Sequence, residues 1–355
     1  MGRRSYDIIV GNKILKGLGR YLSRLNVGKD AYIITNPVIK NICGNELALT
    51  LRKHGFNTRF KLIKDTEKSK SLFTAYAVIK DLTAFDKKRK IFIIALGGGV
   101  IGDLSGFVAS IYKRGIAYIQ VPTTLLAQVD SAIGGKTAVD LSQGKNLIGA
   151  FYQPRLVYSD VGLLKTLDAK QVRSGLAEVI KYAAIKDPFL FAYLEKKHKD
   201  ILRLKPLALE FIIQRCSQIK AEIVRKDERE ERGIRTVLNF GHTIGHAIEA
   251  AQGFKGYTHG EAIALGMLVA TDLSWRLGLI NQDGAQRIER LIKAVGLPVK
   301  IHKAALGKII KAHYRDKKFI ASSNRFVLIS GIGKTKVVKN IPLEIIKDVL
   351  SKRLG

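Results

Sequence analysis

The sequence predicts an α/β protein, with an N-terminal Rossmann-like parallel-sheet domain (1–160) and a mostly α-helical C-terminal domain (161–355). Three observations predict this fold class. The chain has 355 residues, which is long for one hydrophobic core. In its first part, short β-branched runs alternate with amphipathic segments, which is typical of a parallel sheet covered by helices on both faces. Beyond about residue 160, strand signals nearly vanish and helical periodicity takes over. A cleft between the two domains is the default place for a ligand.

Short β-branched runs predict the strands of the first domain, and helical periodicity predicts the helices of the second. The strands of the first domain are predicted at 30–35, 57–63, 90–95 and 117–121, with an amphipathic segment at 37–54. The helices of the second domain are predicted at 168–185, 207–225, 239–251, 261–277 and 286–295. One late hairpin, 325–331 with 335–339, interrupts these helices.

Basic residues dominate the charge, since 61 Lys and Arg against 30 Asp and Glu give a formal net charge of +31. They are spread thinly, without a basic tail or zinc-finger spacing, which favours a solvated basic surface over nucleic-acid binding. The positive charge is also compatible with an anionic small-molecule substrate. There is no run of 18 apolar residues and no signal-peptide pattern, and Cys43 and Cys216 are too few for a disulfide framework. The sequence therefore predicts a cytoplasmic protein without nucleic-acid or membrane partners.

A glycine-rich stretch at 94–103 ends a predicted strand and opens a predicted helix. Gly97, Gly99 and Gly102 fit the pattern G-x-G-x-x-G, whose glycines let the backbone approach a pyrophosphate at a helix N-terminus. A tight strand-to-helix turn would explain the same glycines. The acidic residue that should hold a ribose about 20 positions later is absent, because 116–122 contains no carboxylate. Any dinucleotide here is expected to bind in a variant of the usual mode.

Two further stretches place lysine beside glycine. Lys136 follows a glycine pair downstream of the hydroxyls Thr123 and Thr124, and Lys145 follows Gly144. Such lysines suit phosphate or carboxylate groups, although ordinary surface turns would explain either one alone. Together with Arg114, they favour an anionic ligand.

Histidines and a glutamate suggest a metal site. His242 and His246 lie four residues apart in an apolar helical run, so they point the same way, either as core histidines or toward a metal. His259 begins the next helix, and Glu178 shares a helix face with Lys181. That pair fits an ordinary salt bridge as well as a metal ligand beside an acid–base lysine. Two histidines, one glutamate and an open position form a usual catalytic zinc set.

Together, these stretches resemble the 3-dehydroquinate synthase family of the shikimate pathway, which leads to chorismate and the aromatic amino acids. The matching stretches are Leu96–Phe107, Tyr112–Gly115, Val121–Lys136, Gly144–Pro154, Ser174–Tyr182, Lys220–Val224, Asp227–Glu230, Leu238–His246, His259–Glu261 and Asp316–Lys318. They follow the family's order from about residue 65 to residue 318. Ala132, Asp140 and one extra residue in 230–233 are local departures, and none removes a residue that the family's chemistry needs.

The resemblance implies three sets of site residues. Zinc or cobalt is expected on Glu178, His242 and His259, with His246 as a catalytic or hydrogen-bonding group. NAD is expected at Asp65, Thr66, Glu67, Lys68, Ser69, Lys70, Gly99, Val100, Ile101, Gly102, Asp103, Thr123, Thr124, Lys136, Lys145, Leu163, Leu164, Lys165 and Thr166. Either Asp65 or Glu67 would then supply the ribose carboxylate. The substrate is expected at Arg114, Asp130, Lys136, Asn146, Lys181, Lys220, Arg235, Asn239 and one of Lys317 and Lys318.

The reaction that the resemblance implies converts 3-deoxy-D-arabino-heptulosonate 7-phosphate into 3-dehydroquinate and phosphate. A substrate hydroxyl is oxidised by NAD, phosphate is eliminated, the hydride returns, and an intramolecular aldol step closes the ring, so NAD is regenerated. A homodimer is expected. Three alternatives stay open: a related sugar-phosphate cyclase that closes a different ring, a metal- and NAD-dependent polyol dehydrogenase of the glycerol dehydrogenase type, and a basic nucleic-acid-binding protein.

Overall fold

The computed structural model describes residues 5–87, 89–253, 255–302, 304–315 and 324–355. The chain forms two compact units: unit 1 is Met1–Leu167 with Leu209–Ala221, and unit 2 is Asp168–Ala208 with Glu222–Gly355. We propose that these units correspond to the two domains predicted from the sequence. Within the described residues, every helix is too short or too polar to cross a membrane.

Unit 1 contains the predicted parallel sheet. Its strands are β1 (Asp7–Gly11), β2 (Asp30–Thr35), β3 (Asn57–Leu62), β4 (Ile91–Gly97), β5 (Tyr118–Pro122), β6 (Lys136–Leu141), β7 (Gly144–Phe151) and β8 (Leu156–Asp160). Six of them form a sheet in the order β1-β8-β5-β4-β2-β3, and each neighbouring pair is parallel. The direction of strand addition reverses between β2 and β4. Ligands of such sheets bind beyond the carboxyl ends of the strands at this reversal.

The helices of unit 1 cover both faces of that sheet. They are α1 (Leu18–Leu25), α2 (Pro37–Ile39), α3 (Asn45–Lys53), α4 (Leu72–Phe85) and α5 (Gly99–Ile111). Shorter 3₁₀ segments lie at Leu15–Gly17, Glu67–Ser69, Tyr112–Arg114 and Val161–Thr166, and π-helical segments at Lys40–Gly44 and Ala127–Ser131. The predicted amphipathic segment at 37–54 is therefore α2, a π-helical segment and α3 in succession.

Side chains along the central strands point alternately to the two faces of the sheet, which explains why helices cover both faces. Every residue of β2 and β4 is buried, as expected for parallel strands between two helical layers. On β2, Ile33 packs into the cluster that contains Leu18 of α1 and Leu47 of α3. Its neighbour Ile34 packs into the opposite cluster, with Leu104 of α5. Successive side chains thus bury themselves on opposite faces.

The predicted strands at 30–35, 57–63, 90–95 and 117–121 are confirmed to within two residues. The antiparallel hairpin of β6 and β7 was not predicted. Its register pairs Lys136 with Phe151, and Lys145 lies on the second strand. The sequence predicts no strands in these two glycine–lysine stretches, because their glycines and their mixture of exposed, half-buried and buried residues hide the strand pattern.

Unit 2 is mostly helical, as predicted. The remaining helices are α6 (Ala169–Lys186), α7 (Pro188–Leu202), α8 (Pro206–Lys226), α9 (His242–Ala251), α10 (His259–Arg276), α11 (Gln282–Ala294), α12 (Leu306–Arg315) and α13 (Leu343–Arg353), with a 3₁₀ segment at Ile234–Asn239. The central part of α8, residues 209–221, belongs to unit 1. The predicted late hairpin is confirmed as β9 (Arg325–Gly331) and β10 (Lys334–Lys339). The helix predicted at 239–251 begins three residues later, at His242.

Candidate active site

Glu178, His242 and His259 converge in unit 2. One ligand atom of each lies within 4.8 Å of those of the others. Glu178 lies in α6, whereas the two histidines are the first residues of α9 and α10. Nε2 of each histidine lies 3.6 Å from Oε1 of Glu178. The carboxylate side chain is only 1% exposed, so the histidines face an oxygen that is held inside the protein.

A glycine sets the position of His242. Gly241 has φ of 80°, in the left-handed region, and a Cβ there would lie 2.6 Å from Cγ of Met267. The tight turn therefore ends the preceding 3₁₀ segment and starts α9 in close contact with α10. This requirement explains why the helix begins at His242 and not at Asn239.

The start of α10 is fixed by a capping box. The Thr258 hydroxyl accepts from the backbone N–H of Glu261, while the Glu261 carboxylate accepts from the backbone N–H of Thr258 at 2.7 Å. The backbone N–H of Gly260 donates to Oγ of Ser174 in α6 at 3.1 Å. A Cβ on Gly260 would lie 2.3 Å from the Ser174 carbonyl oxygen, so glycine is needed for α10 to approach α6. This approach brings His259 to Glu178.

The geometry of this group fits a tetrahedral metal ion. Ligand bonds of about 2.0–2.1 Å place the ligand atoms of a tetrahedron about 3.3–3.4 Å apart. The two contacts between Glu178 Oε1 and the histidine Nε2 atoms, at 3.6 Å, are close to that separation. Two imidazoles and a carboxylate also suit zinc or another first-row divalent ion.

Lys181 forms an ion pair with the other carboxylate oxygen of Glu178, Oε2. Both side chains are buried. The sequence left open whether Glu178 serves a salt bridge or a metal. The structure makes the two compatible, because Oε2 faces the lysine while Oε1 faces the histidines.

The surroundings of His259 favour positive charge at this position. Burial alone would lower the pKa of its imidazole, but hydrogen bonds and charge interactions with Glu178 and Glu249 outweigh burial and raise the pKa to about 10. A site that holds a proton this firmly is a site of negative potential. A divalent cation would be stabilised by the same carboxylates, with the histidine neutral.

His246 and Glu249 extend the same face of α9. The ring of His246 lies with its centroid 5.3 Å from that of His242 and 6.2 Å from that of His259. Glu249 Oε1 lies 3.5 Å from His259 Nδ1. His246, Glu249 and His259 form a second group with ligand atoms within 4.8 Å of one another. Sequence reasoning missed Glu249, although its spacing of seven from His242 places it on the histidine face.

Arg235 is held in a turn near the start of the 3₁₀ segment. Its Nη1 donates to the carbonyl of Glu228 at 2.8 Å, and its Nε lies 3.3 Å from Oε1 of Glu230. The carboxylate of Asp227 accepts from the backbone N–H groups of Ile234 and Arg235 at 2.9 and 3.3 Å. The sequence alone assigns these acidic residues no role, and the structure shows them organising the arginine. Asn239 ends the same 3₁₀ segment.

The Asp227 carboxylate has a perturbed pKa. Desolvation would raise it, but hydrogen bonds from backbone N–H groups of residues 231, 232, 234 and 235 outweigh desolvation and hold the pKa of Asp227 below its ordinary value. The charged form of this carboxylate is therefore part of what keeps the turn folded.

The glycine turn of unit 1 lies at the carboxyl end of β4, beside the reversal of the sheet. β4 ends at Gly97, and α5 begins at Gly99. The backbone N–H of Thr123 donates to the Gly97 carbonyl at 3.0 Å, and a Cβ on Gly98 would lie 3.0 Å from Cγ2 of Thr124. The two predicted hydroxyl residues therefore border the turn. An open helix N-terminus with glycine backbone is suited to a pyrophosphate.

Lys70 connects several residues that were predicted to bind NAD or substrate. Its Nζ donates to Asp103 Oδ2 at 2.8 Å and to Asn146 Oδ1 at 2.5 Å. Glu67 Oε1 lies 3.8 Å from Lys70 Nζ and 3.6 Å from Lys145 Nζ. Burial raises the pKa of Asp103 even though Lys70 opposes the shift. The structure thus brings five predicted residues into one network.

Two further contacts in unit 1 involve residues that were predicted to bind NAD or substrate. Asp65 accepts from Nδ2 of Asn36 at 3.0 Å, and burial raises the pKa of Asp65 despite that bond. Lys220 donates to the carboxylate and the backbone carbonyl of Asp130 at 2.8 and 2.7 Å. Lys220 and Asp130, which were both predicted to bind substrate, are therefore a hydrogen-bonded pair.

The remaining predicted site residues differ in location and in exposure. Arg114 follows α5, so the length of that helix, about 18 Å at 1.5 Å per residue, separates it from the glycine turn. Ile101 and Leu164 have fully buried side chains. Lys136 is exposed at the start of β6. Lys317 and Lys318 lie outside the described residues. The other predicted NAD positions are in the 3₁₀ segments Glu67–Ser69 and Val161–Thr166 or beside them, and in the first turn of α5.

A parallel-sheet unit with a glycine turn and a helical unit with a Glu–His–His group define a class of candidate nucleotide- and metal-dependent enzymes. Comparison with known proteins is consistent with this class of enzyme and identifies one family within it. The family model of the 3-dehydroquinate synthase N-terminal region matches residues 60–174, and that of the C-terminal region matches residues 175–319. A 3-dehydroquinate synthase from Thermodesulfovibrio yellowstonii is 46% identical over 353 residues, covering 99% of this chain and 98% of that one. The chain belongs to the 3-dehydroquinate synthase family.

Solved structures with the same fold have lower identity. A 2-deoxy-scyllo-inosose synthase complexed with carbaglucose-6-phosphate, NAD⁺ and Co²⁺ has a TM-score of 0.89 at 28% identity, covering 99% of this chain and 98% of that one. A 2-epi-5-epi-valiolone synthase from Streptomyces hygroscopicus subsp. jinggangensis, with NAD⁺ and Zn²⁺ bound, has a TM-score of 0.88 at 27% identity, covering 99% and 97%. The predicted α/β fold class is confirmed.

Proposed function

We propose that this chain is a carbon–oxygen lyase that converts 3-deoxy-D-arabino-heptulosonate 7-phosphate into 3-dehydroquinate and phosphate, with catalytic NAD and a divalent metal. The observation that carries the proposal is that His242 and His259 both face the same buried carboxylate oxygen of Glu178, in a chain of this family. Similar proteins with this fold bind NAD⁺ with Zn²⁺ or Co²⁺, which supports the two cofactors proposed here.

The two cofactors would supply different chemistry: a bound Zn²⁺ or Co²⁺ polarises a substrate hydroxyl, and NAD accepts and returns a hydride. Glu178, His242 and His259 would hold the metal. The glycine turn, with the neighbouring hydroxyls Thr123 and Thr124, would hold the pyrophosphate of NAD. Asp65, which follows β3 and accepts a hydrogen bond from Asn36, is our candidate for the ribose carboxylate that sequence analysis did not find downstream of the turn.

The chain's own polar groups would handle protons and charge. Lys181 is paired with the carboxylate of Glu178 and would take or give the proton of the oxidised hydroxyl. His246, one turn after His242, would exchange protons with the substrate without holding metal. Lys220, bonded to Asp130, would bind phosphate oxygens. Elimination of phosphate requires a proton to leave the carbon beside the new ketone, and charged groups near the phosphate favour its departure.

Arg235 would select the substrate. Its guanidinium is buried and held by Glu228 and Glu230, so its donors have a fixed direction. Such a fork suits the carboxylate of a heptulosonate phosphate. Related cyclases that act on neutral sugar phosphates have no substrate carboxylate for such a fork to bind. The related cyclase that closes a different ring is the second candidate, supported by the two solved structures at 27% and 28% identity.

The remaining alternatives explain less of the molecule. A polyol dehydrogenase would use the glycine turn and the metal group but would leave Arg235, Lys136 and Lys145 without a role. A nucleic-acid-binding protein would explain the net charge of +31 and none of the site. A salt titration against DNA separates that alternative, because non-specific binding fades with salt while turnover persists. A cytoplasmic homodimer remains our proposal for compartment and assembly.

A phosphate-release assay tests the proposed function. Purified protein is expected to release phosphate from the heptulosonate phosphate only with both NAD and a divalent metal, and without net accumulation of NADH. NADH that builds up at one per turnover would identify an ordinary dehydrogenase and contradict the proposal.

A further inference from the structure

The imidazole of His259 lies between two carboxylates, one at each ring nitrogen. Its Nε2 lies 3.6 Å from Oε1 of Glu178, and its Nδ1 lies 3.5 Å from Oε1 of Glu249. Glu249 is on α9, seven residues after His242 and on the same face of that helix. Its side chain is 12% exposed and that of His259 is 34% exposed, so the contact is partly shielded from bulk water. The proposed function gives Glu249 no role.

Two roles are consistent with this position. Glu249 is either a ligand in a second metal group with His246 and His259, or a support for His259 in the first group. A neutral imidazole offers one unprotonated nitrogen and carries a proton on the other. His259 therefore cannot serve both groups through its two nitrogens unless it becomes an imidazolate. The two roles exclude each other for any one metal-bound state.

The hydrogen-bond acceptor at Nδ1 of His242 decides between these two roles of Glu249. Nδ1 of His242 lies 3.2 Å from the backbone carbonyl oxygen of Phe240, while its Nε2 faces Glu178. Both histidines thus have an acceptor at Nδ1 and the Glu178 oxygen at Nε2. Metal-binding histidines commonly donate their second N–H to a carboxylate or a backbone carbonyl, which fixes the tautomer and the ring direction. This shared pattern favours a single metal position at Nε2.

We propose that Glu249 is a positioning residue, which accepts a hydrogen bond from Nδ1–H of His259 and so holds Nε2 toward the metal. The inference rests on the proposed function, because it takes Glu178, His242 and His259 as the metal ligands. The negative charge of Glu249 also makes the imidazole a stronger ligand, so its effect appears in metal affinity before any effect on turnover.

The test is a zinc titration of chelator-stripped protein, in competition with a chromophoric chelator, with metal per chain measured by mass spectrometry. We expect one zinc per wild-type chain. Glu249→Ala should raise the dissociation constant for zinc about 10–100-fold. Glu249→Gln keeps an acceptor oxygen without the charge, so its loss should lie between those of wild type and Glu249→Ala. Glu344→Ala, which removes an exposed glutamate of α13, should match wild type.

The outcomes separate this inference from the function on which it rests. Wild-type affinity in Glu249→Ala would overturn the positioning role, and so would two zinc ions per wild-type chain with one lost in Glu249→Ala. If Glu249→Ala does not fold, Glu249→Gln decides, since wild-type affinity there overturns the inference and weaker affinity supports it. Absence of zinc from the wild-type protein would instead contradict the metal site itself.

Discussion

The glycine turn of unit 1 and the metal group of unit 2 handle charge in opposite ways. Around the turn, the lysines have carboxylate partners: Lys70 binds Asp103, and Lys220 binds Asp130. In the metal group, two histidines and Lys181 meet one carboxylate, that of Glu178. The first region is ordered by internal ion pairs. The second concentrates ligand atoms around one point. We therefore expect an anionic ligand in the first region to compete with these ion pairs, and a metal in the second to bind at that point.

The largest expected effect is loss of metal from the ligand variants. Glu178→Ala and His259→Ala should each lose bound metal, and turnover should fall by about 10³-fold or more, since a metal contributes several kcal/mol of transition-state stabilisation. His246→Ala should keep its metal and lose rate. Metal content and turnover of the three variants measure this. Loss of metal from His246→Ala and His259→Ala, with metal kept in Glu178→Ala, would move the site to the group of His246, Glu249 and His259.

Removal of site cations should have the next largest effect. Lys181→Ala and Arg235→Ala, both at buried side chains, should lower kcat/KM roughly 10–100-fold, as expected for charge-assisted bonds of about 1.5–3 kcal/mol. Lys136→Ala should also lower it, but least of the three because Lys136 is exposed. Lys196→Ala and Lys197→Ala are the matched surface controls and should change kcat/KM little. Equal losses in both groups would mean that a diffuse positive field attracts the substrate.

The two regions should also differ in their tolerance of a methyl group on glycine. Gly241→Ala places Cβ 2.6 Å from Met267 at a φ of 80°, so it should destabilise unit 2 by about 1–3 kcal/mol and weaken metal binding. Gly98→Ala meets only Thr124 Cγ2 at 3.0 Å, and it should cost less stability while weakening NAD binding. Thermal unfolding and ligand titration of both variants measure this. A Gly241→Ala variant with wild-type metal affinity would show that the α9 start does not depend on glycine.

The smallest effect concerns the turn that holds Arg235. The folded-state pKa of Asp227 lies below its ordinary value of 3.8, so its contribution to stability is present above that value and is lost as pH falls through the folded-state pKa. Asp227→Asn should therefore lower the Tm at pH 7, and its difference from wild type should shrink below about pH 3.8. Thermal unfolding across that range measures the difference. A difference that stays constant with pH would mean that the charge of Asp227 is irrelevant to the turn.

Sequence patterns were informative where a structural feature is local. Runs such as Ile91–Gly97 are short, apolar and rich in β-branched residues, and Asp168, as N-cap, marks the start of α6 within one residue. The hairpin of β6 and β7 was missed because its glycines and its mixed exposure obscured the alternation. The start of α9 was missed because it depends on Gly241 meeting Met267 from a later helix.

The candidate site also combines local features, which the sequence predicts, with long-range contacts, which it does not. Spacing could place His242 and His246 on one helix face, but it could not bring Glu178 and His259 to them, because those residues are 64 and 17 positions from His242 in the sequence. The residue types suggested that set beside other interpretations, and the resemblance favoured it. Glu249 could have been found from its spacing of seven from His242, yet nothing in the sequence shows which histidine nitrogen it faces. Such contacts depend on how α9, α10 and α6 pack.

The most direct test of the proposed function is a competition between substrates. The protein, with NAD and Zn²⁺ or Co²⁺, is given equimolar 3-deoxy-D-arabino-heptulosonate 7-phosphate and sedoheptulose 7-phosphate, and the products are identified by chromatography and mass spectrometry. The proposal predicts 3-dehydroquinate and phosphate from the heptulosonate phosphate, with little product from the neutral sugar phosphate. A preference for sedoheptulose 7-phosphate would contradict the role of Arg235 and the proposed reaction, and would make the chain a sibling cyclase.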